Sequence, residues 1–408
     1  MTEDQAVFGG AGRADDFDET SGVSTVAAIR AEARPREVEA PAAAEAPQEA
    51  PRPAAEPVEL APEVEAPQVE PEPVDPARLL AAAIPSAARV ETPTRARQGW
   101  RGALARVGLP LAPGAQETAA IAQAKAVEAA RTTIRQATWT RAVSILVGNP
   151  KGGTGKTPVA LALGGILASV RGGDVVVVEV SDDPGALGFR AEGSPSLGLG
   201  EFVRDVDQLT TKGQVAGYTA PQTSFASVIG TVEGTRRPPL TYDDVTEVAA
   251  KLDEHFEIRV MDSGNQPSSG AFRGAAATAD VLVIPVMNAG DSTLEALGML
   301  RELRTTEAGR RLADHAIVVV ADDGRPQDAH MRETVPKALA GAGIKTLHQM
   351  PYDAHIATRG EVTLDRLAPA TTEALTMVAA SVIRALNVAA VPAGRRAQPT
   401  RNESKDTH

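Results

Sequence analysis

The chain has 408 residues, a net charge of −12, 43% hydrophobic residues, 3% aromatics and no cysteine. That length leaves room for roughly two or three domains, and the core material is Val, Ala, Leu and Ile rather than aromatic. Without cysteine there can be no disulfide framework, no Cys-ligated zinc and no thiol catalysis, and the composition suits a reducing cytoplasm. No uninterrupted apolar run reaches the ~18 residues of a membrane span. The start, Met1-Thr2-Glu3-Asp4-Gln5, lacks the basic and apolar regions of a cleaved signal. The expectation is a soluble cytoplasmic protein with no transmembrane segment.

The charge is unevenly spread: residues 1–85 sum to −12, residues 86–141 to +6 and residues 142–408 to −6. Residues 1–85 read as a disordered acidic arm. Their stretch 31–76 is a Pro/Ala/Glu tract, as in Glu63-Val64-Glu65-Ala66-Pro67, in which proline forbids helix and sheet ladders and like charges repel. It serves as a solvated spacer or as a docking arm for a basic partner. Residues 86–141 read as a basic, partly helical adaptor. Arg95, Arg97, Arg101 and Arg106 surround Trp100, and Gln116 to Arg135 looks helical with Ile121, Ala124 and Val127 on one face. Arginine with tryptophan can stack on bases or sit at a membrane surface, so this segment is a candidate contact for nonspecific DNA or a membrane apparatus. The other reading has Trp100 anchoring the segment to the core. The tail 391–408 is polar and lacks the apolar face of a membrane-targeting helix.

From Ala142 to residue 390, strands alternate with helices, the sign of a parallel α/β sheet. Val143–Val147 is a strand, and Val159–Ala168 lies in a helix. Between them runs Asn149-Pro150-Lys151-Gly152-Gly153-Thr154-Gly155-Lys156-Thr157. Strand, glycine loop and helix together make a phosphate-binding loop. Glycines let backbone N–H groups curl round a phosphate, and the helix N-terminus adds positive potential. Lys156 can reach the β/γ-phosphates, and the Thr157 hydroxyl can ligate Mg²⁺. Pro158 is tolerated in the first helical turn. Further strands are read at Val175–Val180, Glu257–Asp262, Val281–Val286, Ile317–Val320 and Ile344–Leu347. Helices are read at Thr241–His255, opened by a capping box with Asp244, at Ser292–Thr305 and at Leu367–Leu386.

The generic loop needs glycine at position 150. This chain has proline there and a second lysine, Lys151, at the loop's start. That Lys-Gly-Gly-x-Gly-Lys-Thr string resembles the deviant phosphate loop of the ParA/MinD-type ATPases. The resemblance covers residues 142–390 and implies a doubly wound, mostly parallel sheet of the SIMIBI type binding ATP and Mg²⁺. It also implies an ATP-dependent homodimer in which Lys151 contacts phosphates across the interface. Asp262, followed by Thr278-Ala279-Asp280-Val281, resembles the family's second Mg²⁺ motif. Where relatives carry Asp-x-Asp, this chain has Glu179-Val180-Ser181 followed by Asp182-Asp183. A hydroxyl cannot orient a water nucleophile as a carboxylate does, so hydrolysis should be slow, with Asp182 or Asp183 supplying the carboxylate. Asp322, Pro351 and Tyr352 fall where relatives cup adenine. The Gly-Trp-Arg stretch and Met350-Pro351-Tyr352-Asp353 also resemble actinobacterial MinD-like ATPases, some associated with type VII secretion.

Two functions follow. One is a dimerising ATPase that positions a cargo, either a DNA partition complex or a membrane-associated apparatus such as a secretion system. The other, motivated by Ser181, is a nucleotide-gated scaffold with negligible turnover. A metabolic ligase or reductase on the same fold is disfavoured: no cysteine exists for an iron–sulfur cluster.

Overall fold

The computed structural model describes residues 112–390, apart from Glu233, Thr235 and Arg236, together with Ala96, Leu104 and Val107. The expectations for residues 1–85, for Arg95, Arg97, Trp100, Arg101 and Arg106, and for 391–408 lie outside the described residues.

The described residues form helix α1 (Ala115–Gln136), β1 (Val143–Val147), α2 (Lys156–Arg171), β2 (Val175–Val180), the short helices α3 (Leu187–Arg190), α4 (Leu199–Asp205) and α5 (Lys212–Ala216), and the hairpin β3 (Ala220–Pro221) and β4 (Ser227–Ile229). They continue through α6 (Tyr242–Asp253), β5 (Ile258–Ser263), α7 (Gly270–Thr278), β6 (Val281–Met287), α8 (Gly290–Leu303), α9 (Glu307–Asp314), β7 (Ile317–Ala321), α10 (Ala329–Gly341), β8 (Thr346–Met350), α11 (Ala354–Ala357) and α12 (Pro369–Ala389). The sheet has eight strands in the order β3-β4-β2-β5-β1-β6-β7-β8. Only the β3–β4 pair is antiparallel. This is the expected doubly wound, mostly parallel sheet.

Strand alternation builds the two core layers. Ile145, Val177, Val260, Val283 and Val319 face one layer, packed against α1, α2 and α12. Leu146, Val178, Met261, Leu282 and Val318 face the other, towards α6, α7, α8 and α10. Both faces are covered, so the strands read as continuous Val/Ile/Leu runs. Helix α2 lies unusually close to the sheet: a Cβ on Gly164 would fall 2.3 Å from a Val177 methyl. Pro285 sits inside β6 without harm. The β1 ladder ends there: the last β1 pair is Val147–Val283, and the Pro285 carbonyl accepts from the Asn149 side chain instead.

Several expectations shift. In α1 the buried stripe is Val127, Ala130 and Ile134, while Ala124 is exposed. The stripe follows the surface of α2 and α12 rather than the first apolar residues of the helix. Arg171, the last residue of α2, donates to the carbonyls of Ile134 and Ala137 at 2.8 and 2.9 Å, satisfying the frayed C-terminus of α1. Its guanidinium also stacks 5.1 Å over Trp139. Arg141 is bound on both nitrogens by Asp280. The last strand begins at Thr346, two residues later than read. The Thr241 cap is as expected, with Asp244 donating its N–H to the Thr241 hydroxyl and accepting from the Thr241 N–H. Helix α12 does reach spanning length, with a mean hydropathy of 1.2, although half of that stretch is buried in the fold.

Candidate functional site

β1 lies between β5 and β6, with β2 reached on one side and β6 on the other. Open α/β sheets bind ligands beyond the carboxyl ends of strands at such a switch point. The loop after β1 occupies it. Gly153 and Gly155 have φ of 78° and 90°, the left-handed region that side chains disfavour, and these two turns bend the loop back onto the start of α2. The loop is anchored from below by Asn149, which sequence reasoning passed over. Its buried amide donates to the Pro285 carbonyl at 2.8 Å, and its oxygen accepts the Lys151 N–H at 3.0 Å. Pro158 is the third residue of α2, and the first bond back to the loop comes from Val159 to Gly155, so no donor is lost at the proline.

Lys156 is buried, and its ammonium donates to the Asn265 side chain at 2.6 Å and to the Lys151 carbonyl at 3.3 Å. Burial lowers its pKa, and the charge of Asp262 opposes that shift. The Thr157 hydroxyl donates to Asp262 Oδ2 at 2.7 Å. Asp262 Oδ1 is buried without a hydrogen-bond partner, and burial raises the carboxyl pKa to about 7. A hydroxyl oxygen beside an orphaned carboxylate oxygen is a hard-donor set suited to Mg²⁺, which takes few protein ligands and completes its shell with phosphate and water. Among the described residues no cluster of three or more His, Cys, Asp or Glu could cage a metal without such a ligand. A Cβ built on Gly153 would meet no atom within 4 Å, and one built on Gly152 would meet only the Asn265 side chain, at 3.8 Å.

β2 and β5 pair with Glu179 opposite Asp262 and Val180 opposite Ser263. Ser181 is buried, and its hydroxyl donates to the Asp183 carbonyl at 2.5 Å. Glu179, 1% exposed, is paired at 2.7 Å with Arg237, 2% exposed. Arg237 also donates to the carbonyls of Ser181, Asp182 and Asp183, stapling the whole segment after β2. No signal in the sequence marked Arg237. The two acids behave differently. Asp182 is half-buried, with Oδ1 only 2.8 Å from a Cβ built on Gly264, at the end of β5, whereas Asp183 is exposed.

Asp322, Pro351 and Tyr352 come together at the ends of β7 and β8, where Asp322 donates its N–H to the Met350 carbonyl at 3.0 Å. The Tyr352 ring packs on Gly324, and Asp322 Oδ1 accepts the Gly324 N–H at 2.8 Å. Nearby, Asn288 donates to Gln327 at 2.8 Å while its own Oδ1 is buried and unpaired. Lys151, on the loop's outer side, reaches Asp291 at the start of α8 at 3.0 Å.

A parallel sheet carrying a glycine loop with an invading lysine, and a strand-end acid bonded to the loop's threonine, defines a phosphate-loop nucleotide-binding domain. The chain belongs to the CbiA family, the CobQ/CobB/MinD/ParA nucleotide binding domain, which matches residues 145–364. Solved structures similar to it include a ParA family ATPase from Chlorobium tepidum TLS, with 15% identity over 58% of this chain and 98% of that one and a TM-score of 0.48. The Pyrococcus furiosus cell division ATPase MinD is similar at 18% identity, over 59% and 98%, with a TM-score of 0.45. Cobyrinic acid a,c-diamide synthase from Mycobacterium smegmatis, with bound ADP and magnesium, is similar at 15% identity, over 60% and 94%, with a TM-score of 0.42. No curated protein matches the chain in sequence.

Proposed function

We propose that this protein is a cytoplasmic, deviant-loop ATPase that binds Mg·ATP, forms a homodimer around it and hydrolyses it slowly to time the positioning of a cargo. The observation that carries the reading is the pair of lysines on one glycine turn: Lys156 buried against the loop and Lys151 reaching outward. The amides of Gly152, Gly153, Thr154 and Gly155 would cradle the phosphates, and Lys156 would neutralise charge developing on the γ-phosphate. Thr157 and Asp262 would hold Mg²⁺, which when bound neutralises the β- and γ-phosphate oxygens. Asp322, Pro351 and Tyr352 would face the base. Asp182, against Gly264, is the acid better placed to orient a water than the exposed Asp183. Lys151 would act across the dimer.

The cargo is a DNA partition complex or a membrane-associated apparatus such as a type VII secretion system, reached through residues 86–141. The experiment is single-turnover decay of ATP by the purified protein with Mg²⁺, with light scattering to follow dimerisation. ATP decay tied to dimer dissociation supports the reading, and a protein that binds no ATP refutes it.

The second reading is a nucleotide-gated scaffold without turnover. It is favoured by the Ser181 hydroxyl, which is committed to the Asp183 carbonyl and the Glu179 carboxylate rather than to the open site. A stable ATP-bound dimer with no decay over many hours would select it.

A further inference from the structure

At the far end of α2 from the glycine loop lies a cavity of about 480 Å³ that the site described above does not use. Its volume falls within the roughly 300–1,000 Å³ of small-molecule sites. Ser169, which lines it, stands thirteen residues beyond Lys156, on the order of 20 Å along the helix axis. Ser224 and Leu364 also line it and rest on α2: a Cβ on Gly165 would fall 3.2 Å from the Ser224 hydroxyl and 3.7 Å from a Leu364 methyl.

Ser224 belongs to the turn between β3 and β4, which is fixed from several sides. The Gln222 N–H donates to the Ala226 carbonyl at 2.9 Å, and the Phe225 N–H donates to the Gln222 carbonyl at 2.9 Å. The Glu192 carboxylate accepts the Thr223 N–H at 2.8 Å and the Thr223 hydroxyl at 2.9 Å. Gln222 Nε2 donates to the carbonyls of Ala220 and Glu192 at 2.9 and 3.1 Å. Phe225 is held at φ 69°, a left-handed conformation that a bulky side chain adopts only when its surroundings impose it. The turn so built leaves Phe225 exposed and packs Ser224 onto Gly165. Ser224 is only 7% exposed, yet its hydroxyl has no hydrogen-bond partner among the described residues. A buried hydroxyl without a partner carries a cost that a bound polar group removes.

The same cavity is lined by opposite charges that do not pair. Arg131 comes from α1 and Asp365 from the turn before α12, and neither has a hydrogen-bond or ion-pair partner among the described residues. Glu373, also on the wall, accepts the Gln123 side chain at 3.3 Å. Leu364, Leu367 and Pro369 supply apolar surface between them. A purely anionic ligand would meet two carboxylates there, and a purely cationic one would meet the guanidinium. A ligand that carries both charges satisfies both walls, because a guanidinium fork fits a carboxylate and a carboxylate accepts from an ammonium. We propose that this cavity binds a small zwitterion with an apolar body, of the α-amino-acid class. Arg131 holds its carboxylate, Asp365 its ammonium, and the Ser224 hydroxyl supplies a further hydrogen bond. The site is independent of the nucleotide-binding reading above.

Saturation-transfer NMR and calorimetry on the intact protein test it, with L-leucine, L-methionine and L-phenylalanine as probes. At least one should bind with a Kd at or below about 1 mM. Its amide, which lacks the carboxylate, and its deaminated acid, which lacks the ammonium, should each bind about tenfold more weakly or worse. Arg131→Ala should abolish the preference over the amide, and Asp365→Asn the preference over the deaminated acid. Both side chains are exposed, so both variants keep the fold. No binding by any of the three probes overturns the proposal. So does an amide or a deaminated acid that binds as tightly as its parent, and so does binding that Arg131→Ala and Asp365→Asn leave unchanged, which would place the amino acid elsewhere.

Discussion

The Lys151 ammonium rests 3.0 Å from the Asp291 carboxylate, joining the glycine loop to the first turn of α8. Both side chains are substantially exposed, so the pair is worth at most about 1 kcal/mol. Its interest is positional: a lysine that would serve a partner's phosphate is held by its own subunit. Lys151→Ala should leave ATP binding by the monomer intact and abolish the ATP-dependent dimer in light scattering. Asp291→Asn should lower the ATP concentration needed for dimerisation by a few-fold. An unchanged dimer in Lys151→Ala would make the lysine structural.

Lys156 is the buried lysine of the glycine loop. Its ammonium is directed by Asn265 and the Lys151 carbonyl. Lys156→Ala should reduce nucleotide affinity below detection in equilibrium dialysis with a fluorescent ATP analogue, with the fold intact by circular dichroism.

Asp262 gives a pH signature in the nucleotide-free, metal-free protein. Its folded pKa of about 7 stands above the ordinary 3.8 because burial penalises the anion. The folded state therefore holds its proton more tightly than the unfolded chain, and stability falls as pH rises through the window between those two values. Asp262→Asn removes an ionisation that costs on the order of a few kcal/mol at most. The variant should melt several degrees higher than wild type near about pH 8 and at almost the same temperature near about pH 4.5, read by scanning calorimetry.

Glu179 and Arg237 are a buried ion pair with no solvent to fall back on. Arg237→Ala strands a buried carboxylate and should destabilise by about 3–5 kcal/mol in urea denaturation. Arg237→Met combined with Glu179→Gln should recover a good part of that loss. The double variant should also shift single-turnover ATP decay, because Arg237 fixes the carbonyls of Ser181, Asp182 and Asp183.

If the 86–141 segment binds DNA, its contacts are to phosphates, so retention of the full-length protein on nonspecific duplex should fall steeply with salt and be greater with ATP than with ADP. Changing Arg95, Arg97, Arg101 and Arg106 together to Glu should remove that retention. Retention that survives the changes would move the contact to the core. Arg141, already engaged by Asp280, is a poor candidate for it.

The sequence alone determined what short-range chemistry determines. The glycine loop between strand and helix, the β-branched runs of the sheet and the Thr241 cap each depend on residues within a few positions of one another, and local backbone preference writes them directly into the string. The tertiary structure decided everything that depends on residues far apart in the chain. That Asn149 supports the loop from beneath, that Asp291 holds Lys151 and that Arg237 neutralises Glu179 across 58 positions could not be read from spacing. It decided equally that the buried face of α1 is Val127, Ala130 and Ile134, because which stripe of an alanine-rich helix is apolar enough to bury depends on the surface it meets. The register of β2 on β5 did the same for Ser181 and Asp182. A shift of a single residue reverses which side chain faces the site, and only the pairing of Glu179 with Asp262 fixes it.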